Sequence, residues 1–84
     1  MADNTAIVIF NIVDRQFSVD LEMPLNISAN DMVIALNEAY DLGINTSNVQ
    51  DCYMACERPV ALLKGNKTLS DFGVRCGSVI YFKR

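Results

Sequence analysis

Residues 68–84 read TLSDFGVRCGSVIYFKR, and this stretch decides how the rest of the chain must be arranged. Thr68 and Asp71 stand three apart, the spacing of a capping pair, which predicts a short helical turn burying Leu69 and Val74. Gly77 punctuates the turn, and residues 78–84 follow as a strand. The run Val79-Ile80-Tyr81-Phe82 has no polar alternation and suits the middle of a sheet. A strand that comes last in the order but lies in the middle must insert between strands laid down earlier.

Those earlier strands are legible. Residues 6–13, AIVIFNIV, are β-branched and aromatic. Asp14-Arg15-Gln16 is a hairpin turn. In residues 17–23, FSVDLEM, Phe17, Val19, Leu21 and Met23 share one face and Ser18, Asp20 and Glu22 the other. Pro24 ends that strand. Ser28 opens a helix with Asp31 three residues on. Met32, Val33, Leu36 and Tyr40 form its apolar stripe, with Ala35 and Ala39 as close-packing small residues, and Gly43 is the expected left-handed residue past its end. Residues 44–50 read as a loop, 52–56 (CYMAC) as a third strand and 60–64 (VALLK) as a fourth, with Arg58-Pro59 turning between them. Gly65-Asn66-Lys67 is a further turn. The helix must bury its stripe on the only sheet available, so the fold class is two-layer α+β in a single domain, 1–84.

The chain has 84 residues and 51% of them are hydrophobic, which argues against disorder. A chain this small buries roughly 60–65% of its unfolded surface, so every core residue counts. The net charge is −3 and no basic run stands out, so nucleic acid is excluded as a partner. No apolar run reaches membrane-spanning length, and MADNTA is unlike a signal peptide, so no membrane insertion and a cytoplasmic location are expected. The sequons at Asn26, Asn45 and Asn66 are then chance matches. Three cysteines and no histidine point to reduced thiols, without a metal site or a Cys–His nucleophile. Cys52 and Cys56, four residues apart on a strand, are separated by about 13 Å, too far for a disulfide. Cys52 and Met54 point inward, and Cys76 reads as a semi-buried thiol rather than a reactive one. Asp20 and Glu22 share a strand face, yet alternate polar residues there simply face water. No oriented base, nucleophile or phosphate loop is present, so neither an enzyme nor a cofactor is expected.

The Thr-Leu-Ser-Asp-aromatic segment resembles ubiquitin, and the element order resembles its β-grasp fold: a mixed five-stranded sheet on one main helix, with a short helical turn before the last strand. Phe72 stands where that family often has tyrosine, so the tyrosine's loop-tethering hydroxyl is absent. A Gly-Gly tail is absent as well, so conjugation and sulfur transfer are not expected. The helix DMVIALNEAYDLGI, the Leu69-Ser70-Asp71-Phe72-Gly73-Val74 segment and Gly77-Ser78-Val79-Ile80 resemble the YukD/EsaB family of small ubiquitin-like proteins from bacterial type VII secretion loci. Ser78 departs from the commoner aspartate. The resemblance implies a non-conjugated accessory component or regulator of that apparatus, bound by cytosolic parts of its machinery. The alternative is an adaptor or regulator in another cytosolic pathway that uses the same fold.

By the ubiquitin pattern Ile80 and Phe82 face inward, with Val79, Tyr81 and Lys83 outside. Asn11 turns Ile7 and Ile9 outward, and Tyr53 is outside if Cys52 and Met54 are in. Ile7, Ile9, Tyr53 and Tyr81 then gather on the outer sheet face, the face by which ubiquitin is recognised. Such a contiguous apolar group marks an interface, with a protein partner or a second copy in a homodimer. The rival reading is strand addition at a sheet edge.

Overall fold

The computed structural model describes residues 4–48 and 50–83. Strand β1 (Thr5–Ile12) runs through a 3-10 turn (Val13–Arg15) into β2 (Phe17–Pro24); helix α1 (Ala29–Tyr40) follows, then β3 (Met54–Glu57), β4 (Ala61–Leu63) and β5 (Val79–Phe82). The sheet order is β2-β1-β5-β3-β4. β5 lies parallel to β1 and antiparallel to β3, so the last strand enters the centre of a mixed sheet. This is an α+β, β-grasp-like architecture, as the unbroken apolar run of β5 requires. Val49 of the expected loop, Arg84 of the expected last strand and residues 1–3 lie outside the described residues. Strands three and four are shorter than their apolar runs, because pairing begins only at Met54 opposite Leu63.

Helix α1 starts where its capping residue dictates. Ser28 is extended, and its Oγ accepts from the Asp31 amide at 3.1 Å. Ala29, Met32, Val33 and Leu36 are buried against the sheet. Two expectations fail here. Ala35 and Ala39 are exposed, on the far side of the helix from that face. The left-handed residue at the helix end is Asp41 (φ 55°), two positions before Gly43, which is itself left-handed at φ 76°. The helix carries no cation in its last turn. Arg15, from the β1–β2 turn, supplies one: its guanidinium donates to the carbonyls of Tyr40 at 2.7 Å and Asp41 at 2.8 Å. Two orphan carbonyls at the negative end of the helix are thereby satisfied.

The segment before β5 folds as its capping pair predicts. Thr68 Oγ1 accepts from the Asp71 amide at 3.1 Å, and Asp71 Oδ2 accepts from the Thr68 amide at 3.4 Å. The Leu69 and Ser70 amides donate to the Ile27 and Leu25 carbonyls, which pins the turn to the chain entering α1. Leu69 and Val74 join the core with Val8, Phe10, Met54, Leu63 and Ile80.

Candidate protein-interaction face

Alternation along β1 sends Ala6, Val8, Phe10 and Ile12 into the core and Ile7, Ile9 and Asn11 to the opposite side of the sheet. The helix covers only the inner side. The register then fixes who stands beside whom on the outer side. One row across the sheet is Ser18–Asn11–Tyr81–Ala55–Leu62. The next is Asp20–Ile9–Val79–Glu57. Ile7 lies one row further, opposite Glu22. Tyr53 lies beyond the other end, diagonal to Tyr81, which pairs with Ala55.

The four expected residues therefore form a diagonal band rather than one cluster. Ile7 and Ile9 are neighbours along β1; Ile9 is diagonal to Tyr81, and Tyr81 to Tyr53. Ile7 and Tyr53 are not brought together: three two-residue steps along the strands separate their rows by about 20 Å. Exposure also differs within the set. Ile7 is 47% and Tyr53 43% exposed, whereas Ile9 and Tyr81 are half-buried. Tyr81 sits on the central strand, where Asn11 and Ala55 flank it. A shallow cavity of about 410 Å³ is lined by Asp51, Tyr53, Ala55, Tyr81 and Lys83 among others, so the two tyrosines frame one depression.

The sequence reading missed Leu62, which is 45% exposed. Pairing of Ala55 with Leu62 puts it on the outer face while its neighbour Leu63 is buried. The run Ala61-Leu62-Leu63 has no polar residue to signal which leucine faces out. Val79 belongs to the band too, between Ile9 and Glu57.

The remaining chemistry is sparse. Cys52 and Cys56 are buried and Cys76 is exposed, contrary to its expected partial burial; the Ile7 amide donates to its Sγ at 3.4 Å. Burial pushes the Cys52 thiol pKa up. The Cys56 pKa is raised chiefly by burial and further by the Glu57 carboxylate, with Arg75 opposing. These shifts disfavour thiolate and hence nucleophilic chemistry. Among the described residues no group of three or more His, Cys, Asp or Glu side chains could hold a metal ion. A second depression, of about 570 Å³, lies near the start of α1 with Lys64 and Lys67 in its lining. The amides that open α1 are already used: those of Ala29, Asn30 and Met32 donate to the Lys67, Gly65 and Ser28 carbonyls, and that of Asp31 to Ser28 Oγ. Nothing there is left to bind an anion in the manner of an open helix terminus. No helix among the described residues is long and apolar enough to cross a membrane.

No protein-family model matches the chain, and no curated protein is significantly similar to it. The resemblance to the YukD/EsaB family accordingly rests on the helix segment 31–44 and the short motifs at 69–74 and 77–80.

Proposed function

We propose that this chain is a protein-binding module that acts by non-covalent recognition through the outer face of its sheet. The observation that supports this reading is the apolar band from Ile7 through Ile9, Val79 and Tyr81 to Tyr53, with Leu62 beside it. Single exposed apolar residues are ordinary, but a continuous band on a face that no second layer covers is the mark of an interface. Tyrosines suit such a surface, since they present a large area with few torsions to freeze. On the motif resemblance, the module serves as an accessory component or regulator of a bacterial type VII secretion apparatus.

The test is affinity capture with the chain as bait, followed by reconstitution with each purified candidate. Tyr53→Ala with Leu62→Ala removes the two most exposed anchors at the tyrosine end without touching the core. Binding should fall at least tenfold while the melting temperature holds. Undiminished binding by the double variant would show that another surface is used. Capture of cytosolic secretion components supports the secretion role, and capture of unrelated partners through the same face supports an adaptor of another pathway.

A further inference from the structure

We infer that the partner segment is a cationic amphipathic helix, an inference that rests on the sheet face being the binding surface. The ground is the charge that brackets the band. Asp20 and Glu57 close the two ends of the row Asp20–Ile9–Val79–Glu57, and Glu22 stands directly beside Ile7. No hydrogen bond or ion pair engages these three carboxylates among the described residues. The apolar floor at this end of the face is thus walled on both sides by unpaired negative charge.

The dimensions fit a helix. Three strand spacings separate Asp20 from Glu57, about 14 Å. A helix with its side chains is about 10–12 Å across. Laid along β1 and β5 with its apolar stripe on Ile9 and Val79, it would carry lysine or arginine on each flank within reach of the carboxylates. The band extends about 20 Å along the strands, the length of about 13 helical residues. At the far end the Tyr53–Tyr81 cavity, lined by both Lys83 and Asp51, offers a recess for one large apolar side chain. A second copy of the same face, docked with like ends together, would set Asp20, Glu22 and Glu57 against carboxylates. An acidic helix fails for the same reason.

The test uses two synthetic peptides of about that length, each stapled to hold the helix and each with leucine at i, i+3, i+4 and i+7. One carries lysine on both flanks and its twin carries glutamate. Binding is followed by amide chemical shifts of the isotope-labelled full chain. The lysine peptide should bind at least tenfold more tightly at low salt, move resonances of β1 and β5, and lose its advantage as salt rises. Asp20→Lys with Glu22→Lys should reverse the preference, and Glu57→Lys alone should weaken it. Equal binding of both peptides to this face would overturn the cationic partner yet leave the face as a binding surface. Preference for the glutamate peptide, or binding by neither, would likewise overturn it. The Tyr53→Ala/Leu62→Ala experiment judges the face independently, because it uses the native partner whatever its charge.

Discussion

The buried hydroxyl of Ser78 donates to the Arg58 carbonyl and accepts from the Arg75 amide at 3.0 Å. One side chain thus ties the turn before β5 to the turn between β3 and β4. Only a group that both donates and accepts can do this. An ionised aspartate at this position would accept from the amide but has no proton for the carbonyl. Ser78→Ala should lower stability by about 1–3 kcal/mol in urea unfolding, the cost of leaving buried polar groups unpaired. Ser78→Asp should cost more at neutral pH, because it adds a buried charge. Wild-type stability in both variants would mean that water replaces the hydroxyl at no cost.

The phase of α1 is testable by two neighbouring residues. Leu36 is buried and Ala35 is exposed. Leu36→Ala should cost about 2–5 kcal/mol, since truncation leaves a cavity in a small core. Ala35→Glu should stay within about 0.5 kcal/mol, since it adds a good helix former on the wet side. Similar losses from both would show that the helix is rotated relative to the sheet.

Much of this fold is legible because its elements announce themselves by period. β1 is a run of β-branched and aromatic residues, β2 alternates, Ser28 and Asp31 cap the helix, and the apolar run of β5 demands a central position. What escaped the sequence reading lies where tertiary contacts decide. Ala35 and Ala39 are compatible with a packed or a wet helix face, and only the sheet's position chooses. Asp41 takes the left-handed conformation ahead of Gly43, within reach of a guanidinium from a hairpin 26 residues away in sequence. On the candidate face, strand period placed Ile7, Ile9 and Tyr53 outward, and the ubiquitin resemblance placed Tyr81 there. Their spacing needed strand register, and Leu62 was hidden within an unbroken apolar run.

The three thiols should separate by reactivity and by pH. Cys76 is exposed and Cys52 and Cys56 are buried. Ellman's reagent at neutral pH should titrate one thiol rapidly in the native chain and three after denaturation. The pKa values of Cys52 and Cys56 are raised in the fold, chiefly by burial, from an ordinary value of 9.0. The unfolded chain therefore releases these protons first. Their contribution to stability is complete below about pH 9 and is lost as pH rises through the folded values. Melting temperature should decline from pH 9 to 10.5, and less steeply in Cys52→Ala/Cys56→Ala. Parallel slopes in the two proteins would assign the decline to other groups.

The edge strand β2 bears on whether the chain pairs with itself. Two copies joined antiparallel through β2, with their sheet faces continuous, must keep even residues opposite even residues. A two-fold centred on Val19 sets Asp20 opposite Ser18, one centred on Asp20 sets it opposite its own copy, and one centred on Leu21 sets it opposite Glu22. The last two place like charges directly across a strand pair, which is unfavourable. The first leaves the carboxylates without a cation and pairs fewer residues. Charged residues on an edge strand commonly guard it in this way. The wild-type chain should accordingly sediment as a monomer at about 100 µM in low salt. Asp20→Thr with Glu22→Thr, which removes the repulsion and favours extended backbone, should shift the chain toward dimers or larger species. A wild-type dimer that survives Tyr53→Ala/Leu62→Ala and is dissociated by Asp20→Pro would show that β2 pairs despite its charges, and the edge rather than the face would then be the meeting surface.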